Sequence, residues 1–231
     1  MTRAQALRTF LRNNGLSLAF FAMFVATIVA QSFAGLAETN EQFAMHGRPE
    51  ITYWEFVSSS RFLVDVSENW QSEFLQFFLF IFMTIWLVQK GSPESKKPGD
   101  EGPGNDHQQL IGRHARPDSP RWAKMGGWRT WVYSNSLLIV MGGIFVFSWL
   151  AQSLGGLVVD NEQRGMHGLP PESWLEYVAS PDFWNRTLQN WQSELLAVGA
   201  MVTFSIFLRQ RGSAESKPVG TPHHTTSVES E

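Results

Sequence analysis

Apolar and polar residues separate into long blocks along this chain instead of alternating. One uncharged block covers residues 13–37 and follows Arg3, Arg8 and Arg12; another covers residues 130–159 and follows Arg129. Each is long enough for a helix across the hydrocarbon of a bilayer, which takes about 20 residues. For the first block a cleavable signal peptide is the competing reading, since basic residues, an apolar centre and Ala34-Gly35 fit one. Signal peptides carry a shorter apolar region, about 7–15 residues, and the pattern returns in mid-chain where no leader belongs, so both blocks read as spans. Two more apolar runs open on identical pentapeptides, Asn69-Trp70-Gln71-Ser72-Glu73 and Asn190-Trp191-Gln192-Ser193-Glu194. The predicted spans lie near residues 15–36, 69–89, 135–158 and 190–208.

The two halves align without a gap at an offset of about 121 residues. Arg8-Thr9 meets Arg129-Thr130, Asn14 meets Asn135, Gln31-Ser32 meets Gln152-Ser153 and Gly35 meets Gly156. The loops agree as well: Met45-His46-Gly47 pairs with Met166-His167-Gly168, Pro49 with Pro170, and Glu94-Ser95-Lys96 with Glu215-Ser216-Lys217. Each half is therefore one helix out, a polar loop and one helix back. The expected fold class is all-α, a polytopic membrane protein whose four transmembrane helices form two parallel two-helix repeats. Residues 1–90 make the first repeat, 91–127 a flexible linker, 128–211 the second repeat and 212–231 a disordered tail; the linker and tail are rich in Pro, Gly and Ser and unable to bury a core.

Of the 18 Lys and Arg, only Arg48, Arg61, Arg164 and Arg186 lie in the two inter-helix loops. The positive-inside rule then puts both termini and the linker in the cytoplasm. Trp122, Trp128 and Trp131 with Arg121, Lys124 and Arg129 read as an interfacial segment before the third span, with simple anchoring as its plain role. In the outer loops, Ser180-Pro181-Asp182 offers a cap, a proline at the first helical position and an acid, and so begins a helix that runs into the fourth span. Ser59 or Ser60 holds the matching place in the first half. Short amphipathic helices are expected around Tyr53, Trp54 and Phe56 and around Trp174, Leu175 and Tyr177.

Composition narrows the chemistry. With no Cys there is no disulfide, no thiolate nucleophile and no cysteine-based metal site. A net charge of −3 without a basic stripe sets nucleic acid aside as a partner. No nucleotide loop, nucleophile motif or metal-ligand set is present, so no cofactor is expected and the chain does not read as an enzyme.

The Asn-Gly-Leu-Ser-Leu opening at 14–18, the two His-Gly loops, both Asn-Trp-Gln-Ser-Glu copies and the segment from Gln89-Lys90-Gly91-Ser92 through Lys96 resemble an uncharacterised bacterial membrane-protein family of duplicated two-helix units. The likeness covers nearly all the chain except the linker and tail. It implies a bacterial plasma membrane and no activity, and it carries over no catalytic residue.

One constellation points to chemistry. From Glu194 to Leu208 about fourteen residues reach ~21 Å, and from Glu73 to Lys90 about sixteen reach ~24 Å, both short of the ~30 Å hydrocarbon. Both carboxyls are thus expected inside the apolar layer, each with Asn69 or Asn190 four residues back on the same face. Gln31 and Gln152 come to the same depth, so two Gln and two Glu, with Ser32, Ser72, Ser153 and Ser193 at the edge, could form one buried network. Two readings of this candidate binding cluster stand: it holds helices together, or it binds or passes a proton, a cation or a small solute. His46 and His167 read as turn residues beside glycines, with pH sensing as the alternative. Trp70 and Trp191 read as interfacial belt residues, with ligand stacking as the alternative. The expected partners are the lipid bilayer and, as an option, a second copy of the chain. The function expected is a non-enzymatic, envelope-associated structural or interaction module, and the alternative is a small channel or transporter using Glu73 and Glu194.

Overall fold

In a computed structural model, residues 2–226 are described, and among them every regular element is helical. The chain divides into two compact units, Met1–Val64 and Asp65–Glu231.

The first unit holds α1 (Arg3–Asn13), α2 (Gly15–Met45), α3 (Tyr53–Val57) and the opening turn of α4 (Ser60–Trp86). Helix α1 starts on a capping box in which Thr2 and Gln5 exchange hydrogen bonds. Asn14 interrupts the helix for one residue, and its side-chain amide donates to the Phe10 carbonyl at 2.8 Å, so the break leaves no orphaned carbonyl there. Helix α2 ends at His46 and turns on Gly47, whose φ of 66° is a left-handed value that glycine adopts without steric penalty. The imidazole of His46 faces the Gln42 carbonyl at 2.8 Å, as its turn placement requires.

Three contacts dock α3 on α2. The Ser32 and Tyr53 hydroxyls lie 3.0 Å apart, and the Asn40 side chain exchanges two hydrogen bonds with the backbone of Ile51. The Phe56 ring, 1% exposed, sits on Gly35, where an added Cβ would come within 2.6 Å of it. Arg48 and Arg61 both stand over the ring of buried Phe43, at 4.2 and 5.3 Å.

The second unit holds the rest of α4, a 3-10 turn at Gly112–His114, α5 (Arg121–Met125), α6 (Gly127–Ser134), α7 (Ser136–Met166), α8 (Trp174–Val178) and α9 (Pro181–Phe207). Its local devices recur at the sequence offset. The Asn135 amide donates to the Trp131 carbonyl at 2.8 Å, and Gly168 turns the chain at φ 69° after His167. The Trp174 indole donates to Ser153 at 3.1 Å, Asn161 exchanges two hydrogen bonds with the backbone of Glu172, and the Tyr177 ring packs on Gly156. Both short helices open on capping boxes, Thr52 with Glu55 and Ser173 with Glu176. Backbone N–H groups of Thr52 and Ser173 are the first cause that holds these two carboxyls below the usual range. Ser180 caps α9 by accepting from the Phe183 N–H at 3.2 Å, with Pro181 at its first position.

Two helices, α2 and α7, are long and apolar enough to cross a membrane, with mean hydropathies of 1.9 and 2.0. Their most apolar windows are only 6% and 17% buried, so large side chains such as Phe20, Phe21 and Phe147 stand open.

Linker and tail meet in the second unit. The Gly91 N–H donates to Thr226 Oγ1 at 2.7 Å, and the Ser92 and Ser205 hydroxyls lie 3.3 Å apart. Lys217, 2% exposed, donates its ammonium protons to the carbonyls of Gly91, His223 and Thr225 at 2.6–3.0 Å, with the Pro222 carbonyl 3.4 Å away. Burial, then the nearby charge of Arg209, pulls its pKa down. The matching Lys96 donates to the Gly102 carbonyl.

Candidate functional site

Polar side chains converge where α4, α7 and α9 pack in the second unit. Helical spacing aligns them: Ser67, Gln71 and Leu75 on α4, Ser148, Gln152 and Gly156 on α7, and Phe183, Thr187 and Trp191 on α9 all follow i, i+4, i+8. Ser148 and Gly156 give α7 a small-residue border on either side of Gln152, and Gly142, earlier on α7, is met by the Phe78 ring at 3.0 Å from where a Cβ would stand. Gly143 has no such neighbour.

The centre of the site is made by two hydrogen bonds. Trp191 Nε1 donates to Gln71 Oε1 at 2.7 Å, so the tryptophan of the second pentapeptide is held by the glutamine of the first. Gln152 Nε2 donates to Glu68 Oε1 at 3.3 Å, and Arg186 stands 3.9 Å from that oxygen while its Nε bonds Asp182 at 3.2 Å. These partners orient both amides: the Trp191 indole can only donate, so Gln71 turns its amino group to the remaining side, and Gln152, whose amino group goes to Glu68, turns its carbonyl there. Gln71 Nε2, Gln152 Oε1, Thr187 Oγ1 and Trp149 Nε1 are buried without a hydrogen-bond partner among the described residues. Gln71, Gln152 and Thr187 are each at most 1% exposed. An aromatic wall surrounds them, with the Trp149 ring 5.9 Å from Phe183, 6.0 Å from Trp184 and 6.2 Å from Trp191. Two amides, a hydroxyl and an indole N–H thus keep unused hydrogen-bonding capacity at this packing. Beside the site, burial pushes the Tyr177 phenol up to about 12, so it stays a donor.

The predicted cluster is distributed differently. Gln152 is in the site, but its carboxylate partner is Glu68 and not Glu73. Glu73 is exposed, Glu194 is half-buried, and the two are close enough for their charges to interact. Ser72 and Ser193 bond back to the carbonyls of Asn69 and Asn190, each at 2.9 Å, and Ser72 alone of the two is buried. The Asn69 amide donates to the Asp65 carbonyl, and Asn190 is half-buried. Gln31 lies on α2 in the first unit, half-buried beside Ser32. Glu68, Gln71, Trp149 and Thr187 were not singled out by the sequence as site residues. The hint available for Gln71 was its place inside the repeated pentapeptide.

A second cluster joins the repeated Glu-Ser-Lys motifs at the linker and tail. Ser95 and Ser216 accept from the Gln89 and Gln210 N–H groups at 2.7 and 2.9 Å, closing the same loop after α4 and after α9. Glu94 lies beside Glu215, and burial first, then that neighbour, pushes the Glu94 carboxyl above its usual range. Among the described residues no group of three or more His, Asp or Glu converges as a metal set.

The class this defines is an all-α protein with two helices able to cross a membrane and a buried polar centre between three helices. Residues 7–228 match a family described as a domain of unknown function (DUF6766), and the chain belongs to that family. No curated protein and no solved structure matches it.

Proposed function

We propose that this protein is a four-span integral membrane protein of two parallel two-helix repeats, acting as a non-enzymatic structural or interaction module of a bacterial plasma membrane. The observation that carries the reading is the exposure of α2 and α7: apolar windows of mean hydropathy 1.9 and 2.0 that are 6% and 17% buried. A core helix of a water-soluble protein is mostly buried, and α7 is too far from the amino terminus to be a leader. Bilayer is the solvent that covers such surfaces without cost. Recurrence of α2, α3 and α4 as α7, α8 and α9, with equal lengths and the same docking contacts, supports the duplication and hence four spans. The concentration of Lys and Arg outside the two inter-helix loops supports cytoplasmic termini. The buried centre then serves to fix the helices, because each polar pair ties one helix to another in a layer where lone polar groups are expensive.

Conduction is the second reading, favoured by the proximity of Glu73 to Glu194. Purified protein in vesicles separates the two. The module reading expects no proton or cation flux above that of empty vesicles. Flux abolished by replacing both Glu73 and Glu194 with Gln would replace it with the conduction reading.

A further inference from the structure

Helix α1 has no buried residue. Leu7, Phe10 and Leu11, at i, i+3 and i+4, form an apolar face 49–58% exposed, while Gln5, Arg8, Thr9 and Arg12 make the opposite face. The segment carries Arg3, Arg8 and Arg12, and no acid occurs before Glu38. It joins α2, the most exposed apolar helix, through the single residue Asn14. The same arrangement precedes α7: Arg121, Lys124 and Arg129 with no acid from residue 119 to 159, and Trp128 and Trp131 at 65% and 63% exposure, joined through Asn135. Trp128 is braced by the Trp122 ring at 5.9 Å and by Arg129 at 5.3 Å.

From this we infer that α1 is an anionic-lipid-binding helix, lying at the membrane surface with Leu7, Phe10 and Leu11 in the acyl boundary and Arg8 and Arg12 on acidic headgroups; α6 repeats the device with indoles. Three large apolar side chains facing water would be unfavourable, and an interface rich in negative charge satisfies both faces together. Charge complementarity selects the lipid: three arginines without a compensating acid fit phosphatidylglycerol-type headgroups better than zwitterionic ones. The inference rests on the membrane reading above.

The chain has no Cys, so single cysteines report cleanly. An environment-sensitive fluorophore is placed on Leu7→Cys in one full-length protein and on Val25→Cys in another, and each is reconstituted in phosphatidylcholine vesicles with and without abundant phosphatidylglycerol. The Val25 label is expected in hydrocarbon in both. The Leu7 label is expected to move from a water-like to an apolar setting as phosphatidylglycerol is added, and to return towards water at high salt. Arg8→Gln with Arg12→Gln should weaken this docking by about fivefold per arginine. A Leu7 label that ignores lipid charge, with the Val25 label still in hydrocarbon, overturns the inference and leaves the membrane reading intact. A Val25 label in water overturns both.

Discussion

Replacing Trp191 with Phe removes the donor at 2.7 Å from Gln71 Oε1. Gln71 is fully buried and its Nε2 already lacks a protein partner, so the variant leaves a whole amide unsatisfied. That costs about 1–3 kcal/mol, plus a fraction of the indole packing against Phe145 and Trp149, whose rings lie 6.3 and 6.2 Å away. Gln71→Leu strands the indole N–H but also removes the unpaired Nε2, so its cost should be smaller, about 1 kcal/mol or less. The double variant removes both halves of the pair and leaves neither orphan. It should be less destabilised than the sum of the singles by about 0.6 kcal/mol and by no more than about 1.7 kcal/mol, the mean and the maximum of such couplings inside membrane bundles. Equilibrium unfolding from mixed micelles, followed by circular dichroism, reads all three. Gln192→Leu is the control: the same letter in the other pentapeptide, but exposed, and expected within about 0.5 kcal/mol of wild type. Additive singles, or a Gln192 variant as damaging as the Gln71 one, would refute the reasoning that contact between the two pentapeptides stabilises the fold.

Gly35→Ala and Gly156→Ala should each cost about 1–3 kcal/mol in the same assay, since Phe56 and Tyr177 are at most 3% exposed and have no room to yield; Gly143→Ala, with nothing near its Cβ, should be close to neutral. Because the Glu94 carboxyl is raised in the folded protein, its contribution to stability is fully present below the ordinary Glu value of about 4.3 and is lost as pH rises through the raised value. Glu94→Gln should therefore gain on wild type at pH 8 and not at pH 4, and unfolding curves that keep a constant gap across that window would contradict it.

The four long helices were legible because their signals are local: uncharged runs, the Ser180-Pro181 start and the His-Gly turns are each settled within a few residues. The short helices at Tyr53 and Trp174 were legible from their apolar positions, and the structure adds the capping boxes that start them, a Thr or Ser three residues before a Glu. The site was only half legible. Counting residues gives height along a helix, but height does not say which side faces a neighbour. Gln71 and Glu73 are two residues and roughly 200° apart on α4, and packing buried the amide while leaving the carboxylate exposed. Glu68 was passed over because it precedes the apolar run that drew attention to Glu73. Contacts of the linker and tail were illegible for another reason: composition averages over a segment, whereas those contacts depend on single groups such as the Thr226 hydroxyl and the Lys217 ammonium.

That ammonium also sets an order of events during synthesis. Lys217 and Gly91 are 126 residues apart, and Gly91 meets Thr226 over 135. At 5–20 residues per second the ribosome spends about 6–25 s between making the loop after α4 and making the lysine that fastens it. Through that interval the loop's carbonyl and N–H have only water or transient partners. Closure of the linker region is thus a late step, after all four long helices have been made, and a chain stopped before residue 217 would keep its helices yet leave this loop unfastened.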